Sequence, residues 1–254
     1  MMGRFGNIGR DARPGGSVPR GSMPGNPGPW AARPSPRLRI RIENRVRAAK
    51  KQDWISCFSC VSWCPMSWTE QPVFFVDFEG SSASGVLEYG VATVLGGRVT
   101  AARTRLCRAT GLVPARDAAV HGLSAESLSA HAPFAAEWEY FAGLRESGPL
   151  AAHYAGVENA LLKSVWPYPR TSPDFARPGE RVTDWGPWVD SARLYGQFYP
   201  QFSSSGLASL VGACALQGEL DALAAQHCPP DRRRYHAALY DALAGAVLLA
   251  ALAR

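Results

Sequence analysis

An α/β fold, with a mixed β-sheet flanked by helices, is what the sequence predicts for residues 66–254, and three observations predict it. "PVFFVDFEG" (72–80) sets Val73, Phe74, Phe75 and Val76 in one apolar run rich in aromatic and β-branched residues, the mark of a buried strand. "GVLEYGVATVLGGRVTAARTRLCRA" (85–109) reads as two further strands joined at Gly96-Gly97, a pair suited to a hairpin turn. Beyond this meander, helix-like and strand-like stretches alternate, an order that packs helices on a mixed sheet in an α/β or α+β sandwich.

The later elements follow in order. In "HGLSAESL" (121–128), Ser124 is placed to cap a helix start. "PFAAEWEYFAGLRES" (133–147) is amphipathic at helical spacing through Phe134, Trp138, Phe141 and Leu144. "GPLAAHYAG" (148–156) reads as a short strand and turn, and "VENALLKSVW" (157–166) as a helix. "WGPWVDSARLY" (185–195) gives another short strand, in which Trp185 and Trp188 read as packed residues rather than a base-stacking platform. "SGLASLVGACALQG" (205–218) gives a helix, and a long helix rich in Ala and Leu runs from about Arg232.

The formal charge of +6 is unevenly spread: residues 1–65 carry +9 and residues 66–254 carry −3. Basicity therefore marks the leader, while the folded part is mildly acidic, as suits a site that collects divalent metal. Residues 1–36 contain 8 Gly and 7 Pro, too little apolar surface to offset chain entropy, and are expected to be disordered. "RLRIRIENRVRAAKK" (37–51) is a solvated or phosphate-binding arm, and Cys57, Cys60 and Cys64 lack a fourth metal ligand nearby. Met66 stands just ahead of the first strand, so residues 1–65 also fit an over-extended reading frame. No apolar run approaches the ~20 residues of a membrane span. Without a secretory signal, and with Cys107, Cys214 and Cys228 scattered, a cytoplasmic protein with reduced thiols is expected.

Acids at strand and helix positions carry the chemistry. Asp77 and Glu79, two apart in a strand, project to one side with Phe78 facing away, and two carboxylates so close call for a cation. His153 and Glu158 flank the turn in "AAHYAGVENALL", and Asp241 sits in an apolar helix, an expensive place for an unpaired carboxylate. His236 and Asp241, five apart, would not stack on one helix, which places His236 at or before the first helical turn. Arg232, Arg233 and Arg234 just before it read as a grip on a phosphate backbone.

In order and spacing these residues resemble the DEDDh, or DnaQ-like, 3′–5′ exonucleases. Their D-x-E at the end of the first strand is matched by Asp77 and Glu79, their H-N-A-x-x-D by "HYAGVE" with Glu158 as its acid, and their H-x4-D by His236 and Asp241. The His121-Gly122 dipeptide before a helix also recurs there. The resemblance covers about Val73 to Leu252 and departs from the family at Glu158, usually Asp, and at Tyr154, usually Asn.

It implies a ribonuclease H-like exonuclease domain over 66–254, hydrolysing phosphodiesters at a single-stranded DNA or RNA 3′ end. Two ions, Mg²⁺ or Mn²⁺, would be held by Asp77, Glu79, Glu158 and Asp241, with Asp77 bridging. His236 would be the general base. Phe78, His121 and Arg234 would contact substrate, and His153 would position its helix. The alternatives are an RNA-trimming exoribonuclease of the same family, or a catalytically weak nucleic-acid-binding subunit of a polymerase or repair complex.

Overall fold

The computed structural model describes residues 70–167 and 170–254; the leader, with its basic arm, Cys57, Cys60, Cys64 and Met66, lies outside the described residues. The apolar run forms β1 (Val73–Ser81), and the meander continues as β2 (Gly85–Leu95) and β3 (Arg98–Leu106). Gly96 and Gly97 make the hairpin at φ 62° and 72°, a left-handed pair that glycine adopts without steric cost.

Helix α1 (Ala115–His121) follows and ends on Gly122 at φ 77°, whose N–H donates to the Ala118 carbonyl. The expected helix after Ser124 is absent. The Ser124 hydroxyl accepts the Ser127 N–H (3.1 Å) within a run of turns, so His121-Gly122 closes a helix rather than preceding one.

A 3₁₀ turn (Phe134–Glu137) leads into α2 (Trp138–Ser147), then β4 (Leu150–Ala152) and α3 (Ala155–Val165). A small hairpin, β5 (Ser172–Pro173) with β6 (Arg181–Val182), precedes β7 (Trp188–Asp190). Arg145, fully buried, holds this segment by donating to the carbonyls of Pro173 (2.8 Å), Asp184 (3.3 Å) and Gly186.

The stretch after Asp190, expected as strand, is α4 (Ser191–Phe198). Then come α5 (Leu207–Ala213), α6 (Gln217–His227) and, after a 3₁₀ turn at Pro230–Arg232, α7 (Ala238–Ala253). The last helix thus begins at Ala238 instead of Arg232, because His236 takes a left-handed backbone (φ 62°) that a helix cannot contain.

The sheet has the order β3-β2-β1-β4-β7, antiparallel through the meander and parallel from β1 to β4 and β7. Period-2 alternation divides β1 between two cores. Val73 and Phe75 join the α7 side, with Leu243, Val247 and Ala250, while Phe74, Val76 and Phe78 join an aromatic cluster with Phe134, Phe141 and Trp185. Burying Phe75 to 1% exposure contributes roughly 2–3 kcal/mol by area.

Helix α7 lies unusually close to the sheet at two glycines. A Cβ at Gly245 would enter the Phe75 ring, and one at Gly90 would strike the Ala238 carbonyl and the Leu239 Cα. Hence α7, apolar on every side beyond Asp241 in its first turn, crosses the centre of the sheet with its N-terminus over the end of β1. Among the described residues, no helix is long and apolar enough to cross a membrane, and Cys107, Cys214 and Cys228 are free thiols.

Candidate active site

Because odd-numbered residues of β1 face α7, the alternation that buries Val73 and Phe75 delivers Asp77 and Glu79 to the same face, where the N-terminus of α7 arrives. Asp241 lies in the first turn of α7, buried, and one carboxylate oxygen accepts the backbone N–H of His236 at 2.9 Å. That bond reaches back past the helix start and fixes the left-handed turn, leaving His236 exposed. Ligand atoms of Glu79, His236 and Asp241 all fall within 4.8 Å of one another.

Glu158 enters from the other side of the sheet, in the first turn of α3, where the helix dipole favours a carboxylate. It is buried, and the Phe78 backbone N–H beside it favours its charged form. The start of α3 is anchored without a side-chain cap of its own. Tyr154, at φ 62°, bonds the Ser205 hydroxyl (2.7 Å), and the Ala155 N–H donates to Asp190 (3.1 Å). Asp190 also caps α4 through the N–H groups of Ala192 (3.0 Å) and Arg193 (3.2 Å), so one carboxylate ties two helix starts. His153 clamps the same region: its Nε2–H donates to the Ser205 carbonyl (2.8 Å) and its Nδ1 accepts from the Ser191 hydroxyl (2.9 Å).

Crowding shows in the titration of these acids. Loss of solvent, then repulsion from Glu158, Asp241, Glu79 and Glu88, holds the Asp77 carboxyl well above the usual carboxylate range. Burial, with Asp241 and Glu88, pushes Glu79 up to about 8 against the pull of Arg232 and Arg234. Glu158 rises to about 8, through burial and then Glu79, and Asp241 to about 7, through burial opposed by the His236 N–H.

The donor set fits a divalent cation. One oxygen of Glu158 (Oε2) and one of Asp241 (Oδ1) are buried without a hydrogen-bond partner, and all the side chains that converge offer oxygen or imidazole nitrogen. A cation there would take the orphaned oxygens and relieve the repulsion among the acids.

A pH and cation test follows. Acids whose folded pKa is raised contribute stability that is fully present below their unfolded values near ~4. That stability is lost as pH rises through about 7 to 8 for Glu79, Glu158 and Asp241. The cation-free protein should therefore melt lower at pH 8.5 than at pH 5.5. Mn²⁺ should raise the melting temperature mainly at the higher pH, by roughly 5–10 °C at about 100-fold over its Kd. Differential scanning calorimetry checks this, and an equal cation effect at both pH values would contradict it.

The remaining candidates divide. His121 is buried at the end of α1; its Nδ1 accepts the Leu123 N–H (3.0 Å), its Nε2 lacks a partner, and burial lowers its pKa. Arg234 is exposed and donates one bond to the His121 carbonyl (3.3 Å). Phe78 does not belong with them. Its ring is buried on the opposite face, edge-on to Phe134 with centroids 5.3 Å apart, so the expected substrate contact by this side chain is corrected.

Of the three arginines read as a grip, Arg233 and Arg234 are exposed and Arg232 is drawn inward to a carboxylate. Arg232 pairs with Glu88, and Arg233 donates to the Cys228 (3.1 Å) and Ala225 (3.0 Å) carbonyls at the end of α6. Glu88, buried beside Glu79 in register, was missed, although an acid inside the apolar "VLEYGVATVL" is the same signal that exposed Asp77.

No protein-family model matches the chain, and no curated protein matches it. Solved structures do. E. coli exonuclease I in complex with a dT13 oligonucleotide superposes with a TM-score of 0.52 at 12% identity, over 71% of this chain and 40% of that one. A 3′-exonuclease, from a structure of 3′-end-specific recognition of histone mRNA stem-loop, gives 0.50 at 12% identity, over 84% and 72%. Exonuclease X with 5′-overhanging duplex DNA superposes less well, at 0.48 and 17% identity over 72% and 90%. The chain spans less than half of exonuclease I. What it shares with these proteins is the fold: it has the ribonuclease H-like α/β fold of these exonucleases.

Proposed function

We propose that the protein is a metal-dependent 3′–5′ exonuclease acting on single-stranded nucleic acid. The observation that carries this reading is the convergence of Glu79, Asp241 and His236 within 4.8 Å at the end of the central strand, with Asp77 and Glu158 close enough to feel the charge of those acids. The fold shared with 3′-exonucleases supports it.

Asp77, Glu79, Glu158 and Asp241 would hold Mg²⁺ or Mn²⁺. Ions so bound supply the positive charge that offsets the charge developing on the phosphate in the transition state. His236, the exposed member, takes the proton of the attacking water as its oxygen bonds to phosphorus and the 3′ oxygen of the preceding nucleotide leaves. The turn that carries His236 is held by Asp241, so base and acid keep a fixed relation while the imidazole stays open to a strand end. Arg234, exposed nearby, offers a cation for the phosphate backbone. His121 Nε2, buried and unpartnered, offers a donor toward a terminal nucleotide.

Glu158 would join the set with one more methylene than an aspartate has, and the Phe78 N–H beside it favours its charged form. Exonucleases of this fold engage both nucleic acids, one in complex with a dT13 oligonucleotide and one in recognition of a histone mRNA stem-loop. The test uses the full chain with 5′-labelled single-stranded DNA and RNA, in Mg²⁺, Mn²⁺ or chelator. A cation-dependent ladder shortening from the 3′ end is expected, and the faster substrate identifies the preferred sugar. Retained binding without cleavage of either would favour a nucleic-acid-binding subunit instead.

A further inference from the structure

The proposed hydrolysis gives no task to the buried acid nearest the β1 pair. Glu88 lies on β2 opposite Glu79 in register and is 3% exposed. Its carboxylate accepts from three donors. Arg232 Nε reaches Oε1 at 3.3 Å, a second guanidinium nitrogen reaches Oε2, and the backbone N–H of Ala238, the first residue of α7, reaches Oε2 at 3.1 Å. The remaining guanidinium nitrogen of Arg232 donates to the His121 carbonyl at 2.7 Å. One ion pair therefore joins the strand beside Glu79, the end of α1 at His121, the 3₁₀ turn and the start of α7.

His236 sits between the two ends of this tie, four residues after Arg232 and two before Ala238. Its own backbone is in the left-handed region and is held on the far side by Asp241. A non-glycine residue keeps that conformation only where its surroundings over-determine it. Here the surroundings are Asp241 behind and the Glu88–Arg232 pair in front.

We propose that Glu88 and Arg232 are positioning residues that hold the His236 turn over the acid pair of β1. This inference rests on the hydrolytic reading for its catalytic consequence, though not for its geometry. A buried ion pair is a weak source of net stability, since apolar replacements of similar volume are often neutral or better. Fixing the arrangement of neighbouring segments is the better-attested use, and the segments fixed here are those that carry the candidate base and substrate contacts. The structure contains its own control. Glu137, also buried, is bound by Arg103 (2.7 Å), Arg105 and the Tyr89 hydroxyl (2.7 Å), none of which belongs to the site.

The test compares full-length wild type, Glu88→Gln, Arg232→Lys and, as control, Arg103→Met. Melting curves establish folding, and the ring signals of His236, assigned by its own substitution, are read in ¹H–¹⁵N spectra alongside kcat and KM. Glu88→Gln and Arg232→Lys should shift and broaden the His236 signals. They should also lower kcat by on the order of 10–100-fold, the scale of an ångström-sized misplacement, with KM little changed. Arg103→Met should alter neither. Wild-type His236 signals and kcat in a folded Glu88→Gln protein would overturn the proposal, as would an equal loss in Arg103→Met. Should Glu88→Gln fail to fold, Arg232→Lys decides by the same readouts. A wild type that never cleaves would remove the hydrolytic reading, and the His236 signals alone would then uphold or overturn the positioning role.

Discussion

Replacing Asp77 with alanine is expected to abolish 3′-end cleavage while making the cation-free protein harder to unfold at pH 8. The two effects have one origin. Asp77 stands among Glu158, Asp241, Glu79 and Glu88, each of which raises the cost of ionising it. With a divalent cation present, such crowding is what binds the ion, and removing one carboxylate forfeits several kcal/mol of transition-state stabilisation. That corresponds to a rate loss of about 10³-fold or more. Without the cation, the same buried carboxyl is only costly to ionise among its acidic neighbours, so its removal takes that cost away. Single-turnover cleavage and melting in chelator at pH 8 measure the two halves. Cleavage within about tenfold of wild type would exclude Asp77 from the chemistry. A lower melting temperature in chelator would mean that packing, not charge, dominates at this position.

The second large effect is expected at a residue with no functional group. Gly90 pairs with Asp77 across β1 and β2, and the first turn of α7 lies directly on it. A methyl group there meets the Ala238 carbonyl and Leu239 Cα, backbone atoms that cannot swing aside as a side-chain tip would. Gly90→Ala should therefore displace the start of α7, costing about 3 kcal/mol and roughly 5–10 °C in melting temperature. Because His236 and Asp241 ride on that helix start, cleavage per folded molecule should fall as well. Gly143, mid-way along α2 with open space around it, is the contrast: Gly143→Ala should be neutral or stabilising by up to ~1 kcal/mol. Equal melting of the Gly90 and Gly143 variants would show that α7 is not pinned where it appears.

Those acids were legible because a charge inside an apolar pattern is conspicuous. Asp77, Glu79 and Asp241 break runs that otherwise read as buried, and the strand and helix periods say which face each must take. Glu88 obeys the same rule and went unread because it forms no motif with its neighbours. Helix α1 is short and polar, so its period carries little signal, and Ser124 binds Ser127 in a turn with no helix to cap. The left-handed backbone at Tyr154 and His236 is invisible in residue types that seldom adopt it; only tertiary contacts make it affordable. Asp190, by contrast, is a residue type favoured ahead of a helix, and its cap on α4 was readable. The error at Phe78 is instructive in a different way. Alternation along β1 already sent its ring to the far face, and the expectation of a substrate contact came from resemblance alone.

The three sources of carboxylate, β1, α3 and α7, are far apart in the chain, with about 160 residues between Asp77 and Asp241. Closing loops of that length costs chain entropy, and the site is complete only when the sheet and both helices have docked. A half-formed or locally opened molecule would present two acids on one strand and little else to grip an ion. On the proposed function, a misfolded copy would then be inert toward the cell's nucleic acids, because destructive capacity requires all three segments in place.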